Sequence, residues 1–408
     1  MAAEARPTAR HPETVVIHGR RHTEHAYGAL AAPLYQTSTF SFRSAAEGAE
    51  RFAGGASGYV YTRLGNPTVR ELEERLAALE GAEDAVAFAS GMGAVSAALL
   101  ASLKAGDHLI TSRCLYGCTH TLIDETLAGL GISATRLTTI TPESLRLALR
   151  PQSRVLYLET PVNPTLEVIE IAPLAEIAHR HGMTVIVDNT FMTPLLQKPL
   201  ASGADLAVHS ATKFLNGHGD VIAGAVCGAH ERLEALRHGP LKTVGAVLDP
   251  FAAWLIMRGL KTLALRLARH QDNAGRIAHW LRVRPEVRRV TWPGFDDHPA
   301  AALRGTQMHG GGALLTFELH GGDEAAVRFL DRLDLCRRAV SLGDAETLVE
   351  HPASMTHATY DAAALAAAGI RPGLIRLAAG LEHPSDLIAD LEQALAASGA
   401  DRPGRRAA

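Results

Sequence analysis

Thr184-Val185-Ile186-Val187-Asp188-Asn189, followed by Val208-His209-Ser210-Ala211-Thr212-Lys213-Phe214, decides the fold of this chain. The run up to Val187 has the length and β-branched composition of a strand. Before it, Pro173 to His181 reads as a helix closed by Gly182, and Val155-Leu156-Tyr157-Leu158-Glu159 as another strand. Strand, helix and strand in that order make a βαβ unit, whose crossover is nearly always right-handed. Ala204 to His209 and Ala223 to Cys227 continue the alternation. The pattern predicts an α/β domain over residues 65–262 with a mostly parallel sheet.

Asp188 ends its strand, where ligands of open α/β sheets lie. An unpaired buried carboxylate is costly, so Asp188 either caps the following turn or meets a cation. Lys213 follows the next strand and precedes a Gly217-His218-Gly219 turn; a solvated surface lysine is the ordinary alternative. Ser210 and Thr212 either satisfy local backbone groups or donate to an anion. Ser90-Gly91-Met92-Gly93 joins the strand Ala85 to Ala89 to a helix running through Leu103. Free N–H groups and a glycine there would admit a phosphate, though a tight packing turn looks the same. The turn is not a G-x-G-x-x-G fingerprint, which argues against a dinucleotide. A lysine for an aldehyde, a carboxylate for a pyridinium nitrogen and donors for a phosphate are the needs of pyridoxal 5′-phosphate (PLP).

Three further residues carry chemical possibilities. Tyr116, after the strand His108 to Thr111, would stack on a planar ring and exchange a proton with a leaving group, given a lowered pKa; the alternative is a packing tyrosine. Asn163, in Pro161-Val162-Asn163-Pro164, is a donor or simply a turn residue. Arg376 interrupts the apolar strand Leu374-Ile375-Arg376-Leu377-Ala378, a costly place unless it grips a carboxylate or forms a structural ion pair.

Upstream, residues 1–64 read as an arm against another subunit, with Pro33 to Phe40 extended and regular structure starting at Asn66. Asn66 caps a helix that begins with Pro67 and ends at Gly81. Downstream, strands at Gly312 to Leu319, Arg338 to Ser341 and Leu374 to Ala378, with helices at Glu324 to Leu333 and Pro384 to Ala397, form a smaller α+β domain over 263–408. The tail from Ala400 reads as frayed.

With 408 residues, 47% hydrophobic and 20% charged, the chain has the composition of a soluble globular protein of two domains. A net charge of −3 offers no field for nucleic acid, and no apolar run is long enough for a bilayer. Met1 to Pro7 lacks the apolar core of a secretory signal. Four cysteines are too few for a disulfide framework, which points to the cytoplasm. Cys114 and Cys118 have no matching second pair, so no metal is expected.

Taken together, the motifs resemble the cysteine/methionine-metabolism family of PLP-dependent enzymes, within fold type I. They are Pro33-Leu34-Tyr35-Gln36-Thr37, Tyr61-Thr62-Arg63-Leu64-Gly65-Asn66-Pro67-Thr68, Ser90-Gly91-Met92-Gly93-Ala94, Glu159-Thr160-Pro161-Val162-Asn163-Pro164, Val187-Asp188-Asn189-Thr190, Ser210-Ala211-Thr212-Lys213 and Glu350-His351-Pro352-Ala353-Ser354-Met355-Thr356-His357. The resemblance implies the aspartate aminotransferase-like fold, PLP as cofactor and a homotetramer built as a dimer of dimers. By position it implies that Lys213 bonds the cofactor, Asp188 faces its ring nitrogen and Tyr116 stacks on the ring. Gly91, Met92, Ser210 and Thr212 would hold the phosphate, joined by Tyr61 and Arg63 of a neighbouring subunit. Arg376, Ser341 and Asn163 would hold a substrate carboxylate, with Cys118 and Lys242 in the side-chain pocket. Leu115-Tyr116-Gly117-Cys118-Thr119 and Val340-Ser341-Leu342-Gly343-Asp344-Ala345-Glu346 are most similar to the branch that removes the γ-methylthio group of methionine. Cystathionine cleavage or synthesis, or sulfhydrylation of an acylated homoserine, are the alternatives. One place departs: Leu241-Lys242-Thr243-Val244-Gly245-Ala246 is a residue shorter than that branch's pattern and lacks its acidic neighbour of the lysine, which bears on preference for methionine.

Overall fold

The computed structural model describes residues 10–19, 25–358 and 360–400; the stretch Met1 to Pro7 and the tail from Asp401 lie outside them. The larger sheet comprises β1 (Asp84–Phe88), β2 (His108–Ser112), β3 (Ser133–Leu137), β4 (Ser153–Glu159), β5 (Thr184–Asp188), β6 (Leu206–His209) and β7 (Gly224–Gly228). Their spatial order is β1-β7-β6-β5-β4-β2-β3. Only β7 runs antiparallel to its neighbours; the other pairs are parallel.

The apolar runs are continuous because helices cover both faces of this sheet. Val185, Val187, Leu156 and Leu158 pack on one side with Ile177 of the crossover helix Ala172–Arg180. Ile186, Val155 and Tyr157 point to the other side, against Ala94 and Ala98 of the helix Gly91–Ser102. The βαβ unit is as the sequence predicts: β4 and β5 are parallel neighbours, with Glu159 opposite Asp188. The caps also follow the sequence. Asn66 accepts the N–H of Thr68 at 2.9 Å, starting the helix Pro67–Glu80, and Gly81 ends it in the left-handed region at φ 80°.

The smaller sheet has β8 (Val287–Thr291), β9 (Leu314–Leu319), β10 (Arg337–Arg338), β11 (Leu348–Glu350) and β12 (Leu374–Ala378), in the order β10-β11-β12-β9-β8. Its inner face, with Leu315, Phe317, Ile375 and Leu377, is covered from helices Leu263–Arg282, Gly322–Arg332 and Pro384–Ala397. Strand side chains alternate, so Arg376 must face away from Ile375 and Leu377. It faces the larger domain instead.

Three expectations need correction. Regular structure begins before Asn66, with helices Pro12–His18 and Ala45–Phe52. Val16 is buried in the core of the larger domain, so this part of residues 1–64 is more than an arm. The strand over Arg338 to Ser341 is cut to Arg337–Arg338, and Ser341 has φ 90° rather than an extended backbone. Two contacts hold it there: its carbonyl accepts from Arg376 and its hydroxyl from Lys213. Finally, β8 and β11 complete the small sheet without a sequence signal. β8 is an edge strand with charged exposed positions, and β11 is only three residues long.

Candidate active site

Lys213, Asp188 and the Ser90–Gly93 turn meet at the carboxyl ends of the parallel strands. Lys213 follows β6, and its Nζ donates to the Ser341 hydroxyl at 2.7 Å. Burial, and then the nearby Arg376, hold this amine below the usual lysine range, while Asp344 and Glu350 pull it back up. Asp188 accepts the N–H of Thr190 at 2.9 Å, and the Thr190 hydroxyl accepts the N–H of Ser210 at 2.8 Å. The two turns that carry the acid and the lysine are thereby tied together. Burial raises the Asp188 carboxyl, and Thr190 draws it back down. Among the described residues neither Asp188 nor Lys213 has an ion-pair partner. The cation and acid of the sequence argument do not neutralise each other, which fits an intervening group that bonds the one and is protonated against the other.

The turn at Ser90–Gly93 is set by close approach. Ser90 caps the helix Gly91–Ser102 by accepting from Gly93 at 2.9 Å. A Cβ on Gly91 would lie 2.8 Å from Ser210 Cβ, and one on Gly224 of β7 would lie 2.2 Å from the Ser90 carbonyl oxygen. The first-turn N–H groups of Gly91 and Met92 lack carbonyl partners in any helix and open beside Ser210, as an anion requires. The Ser210 hydroxyl has no partner among the described residues. That of Thr212 donates to the Ala223 carbonyl at 3.1 Å and accepts its N–H at 2.9 Å. These residues fit a PLP phosphate, with Ser210 the freer donor.

Arg376 lies where the small sheet meets the large one. Its guanidinium donates to Asn163 Oδ1 at 2.9 Å and to the Ser341 carbonyl at 2.7 Å, and sits 3.1 Å from Glu350. Glu350 is its register partner on β11. The structural ion pair weighed from sequence therefore exists, and Arg376 Nε remains without a partner. The motif Glu350 to His357 includes this acid but assigns it no role, since its pairing with Arg376 follows from strand register. Tyr116 corrects another expectation. Burial foremost, then Cys118 and Glu159, push its phenol up to about 12 rather than down. Such a group holds its proton at neutral pH, so it enters any reaction as an acid and not as a base, though a weaker acid than a free tyrosine.

Tyr61, Arg63 and Lys242 form a separate group. The Arg63 guanidinium lies 5.5 Å from the Tyr61 ring centroid and donates to the Lys242 carbonyl at 2.7 Å. No hydrogen bond or ion pair links them to Lys213, Asp188 or Ser210. Arg63 and Lys242 line a surface cleft of about 710 Å³. A larger groove of about 1070 Å³ runs between β8 and the 165–170 loop, away from Lys213, and holds none of the candidate residues. Cys114 donates to the Asn163 carbonyl at 3.3 Å, while Cys118 is exposed. Asp84, His230 and Glu234 come together, but Asp84 is already paired with Arg70 and Arg237.

The family model of the Cys/Met metabolism PLP-dependent enzymes matches residues 13–396. The chain is 50% identical to L-methionine gamma-lyase of Fusobacterium nucleatum subsp. nucleatum, over 94% of this chain and 97% of that protein. It is 42% identical to O-succinylhomoserine sulfhydrylase of Pseudomonas aeruginosa, over 93% of both. Cystathionine gamma-lyase from Lactobacillus plantarum, solved with L-serine, superposes with a TM-score of 0.90 at 38% identity, over 96% of this chain and 100% of that one.

Proposed function

We propose, from the premise that this chain belongs to the Cys/Met metabolism PLP-dependent enzyme family, that it is a carbon–sulfur lyase acting on L-methionine and related sulfur amino acids. With one water, methionine yields methanethiol, 2-oxobutanoate and ammonia. The observation that carries the reading is the Lys213–Ser341–Arg376 chain of contacts beside Asp188, in a protein half identical to a methionine gamma-lyase.

PLP would be held by Lys213 and Asp188, by Gly91, Met92, Ser210 and Thr212 at its phosphate, and by Tyr116 over its ring; when bound, it supplies the electron sink for charge left on the substrate carbons. Arg376, with Asn163 and Ser341, orients the substrate carboxylate. The Lys213 amine, lowered by burial and by Arg376, accepts the Cα proton, would release it to C4′ of the cofactor, and as a free amine again accepts one from Cβ. Ser341 Oγ steers it between those positions. The Tyr116 phenol gives its proton to the departing γ-sulfur. Cys118 borders the side-chain pocket, and Lys242, Tyr61 and Arg63 reach it or the phosphate from a second subunit. That no hydrogen bond or ion pair joins them to their own Lys213 among the described residues supports that arrangement, in a homotetramer of the cytoplasm. Among the described residues no helix is long and apolar enough to cross a membrane.

Cystathionine γ-lyase activity is the nearest alternative, and the 42% identity to a sulfhydrylase keeps γ-replacement as another. Release of 2-oxobutanoate and thiol from methionine, homocysteine and cystathionine, measured side by side, decides between them. A synthase or sulfhydrylase would stay silent until given an acylated homoserine and a sulfur donor.

A further inference from the structure

Glu159 is the last residue of β4, directly opposite Asp188 on β5, and is 6% exposed. Its Oε2 accepts the backbone N–H of Tyr116 at 2.9 Å. The backbone N–H of Asn163, four residues on, also stabilises its charge. Among the described residues no lysine or arginine pairs with it. The ionisable groups around it are Asp188 on β5, Tyr116 and Cys114 on the loop after β2, and Tyr157 on its own strand. A buried acid facing another acid and no cation contributes nothing that an apolar side chain would not give more cheaply. Its presence calls for a role.

We propose that Glu159 is a positioning residue: its carboxyl group fixes the segments bearing Tyr116 and Asn163 against the strand bearing Asp188. This rests on the reading of Tyr116 and Asn163 as groups that meet the substrate. One side chain thereby sets the spacing between the proton donor, the carboxylate holder and the acid that would face the ring nitrogen. Two carboxylates on facing strands cannot both ionise cheaply, and Asp188 is the one opposite the ring nitrogen. Burial and the Asp188 charge accordingly push Glu159 up to about 8. It keeps its proton through neutral pH and still accepts from Tyr116. Above that range a second negative charge appears beside Asp188 and near the Tyr116 phenol, holding the phenolic proton more tightly. Glu159 thus sets an alkaline limb on turnover.

The test uses the PLP-loaded protein with Glu159→Leu and Glu159→Gln, reading cofactor content, visible absorbance against pH, and kcat and KM for methionine against pH. Glu159→Leu retains cofactor but loses about tenfold or more in kcat, because the Tyr116 N–H has lost its acceptor. Glu159→Gln keeps an acceptor oxygen and restores most of that loss. It should also lack the ionisation near pH 8 expected of the wild type, where burial and Asp188 push Glu159 up to about 8. The proposal falls if Glu159→Leu turns over like wild type, or if Glu159→Gln keeps the wild-type pH profile. If the leucine variant does not fold, the profile of the glutamine variant decides alone. Should the wild type release no 2-oxobutanoate, the lyase reading fails by itself. The difference in absorbance titration between wild type and Glu159→Gln then still reports on Glu159.

Discussion

At Ser341 the backbone holds φ 90°, which costs a non-glycine residue on the order of 1–3 kcal/mol. The strain is maintained by Lys213 on its hydroxyl and Arg376 on its carbonyl. Ser341→Ala and Ser341→Gly both remove the hydroxyl, and turnover should fall in both. The glycine variant should nevertheless unfold at the higher denaturant concentration, by about 1 kcal/mol, because glycine takes positive φ freely. Equal midpoints would show that the turn is unstrained. Tyr116→Phe should lower kcat by about 10²–10⁴-fold while cofactor affinity changes little, since only the transferred proton is lost. A kcat near wild type in that variant would remove its role as acid. Lys213→Ala should abolish borohydride trapping of PLP on the peptide that carries residue 213, as mass mapping would show. Lys213, Asp188 and Arg376 were legible as residues because their placement at or inside apolar strands is costly without a function. The upward shift of Tyr116 was not, because it depends on how deeply a half-exposed ring is buried beside Cys118 and Glu159.

The Gly91–Ser102 helix and β7 meet with almost no space between them. Gly224→Ala would drive a methyl into the Ser90 carbonyl, which is backbone and cannot yield. Overpacking of that kind typically costs about 1–3 kcal/mol, readable as a lowered unfolding midpoint. Gly91→Ala meets Ser210 instead, at 2.8 Å from its Cβ and 3.2 Å from its Cα; rotating the hydroxyl moves neither atom, so the backbone turn carrying Ser210 must shift, at the expense of the proposed phosphate site. Its expected signature is weakened cofactor binding, about tenfold or more, in addition to a loss of stability. If both variants lost stability equally and cofactor affinity not at all, the turn would be packing and not a cradle. Capped helices and continuous apolar strands could be read locally, as Asn66, Gly81 and β5 show. Elements such as β8 could not, because an edge strand with Arg288 and Arg289 exposed has no apolar run to announce it.

Across the whole molecule, the contacts of Tyr61, Arg63 and Lys242 with one another and not with Lys213 predict sites completed by two protomers. Co-expressed Arg63→Ala and Lys213→Ala chains should then regain activity, about a quarter of wild type for random pairing, as half of the mixed dimers' sites are intact. A mixture no more active than its parts would place Arg63 in its own protomer's site. By itself the sequence determined the α/β order, the capped helices, the family and the costly residues at strand ends, because period, capping and burial cost are properties of neighbouring residues. Only the tertiary structure decided that Glu159 faces Asp188, that Glu350 faces Arg376 and that Ser341 is bent between lysine and arginine. Those pairings depend on strand register and on how two sheets meet. Residues far apart along the chain set both, so no local pattern records them.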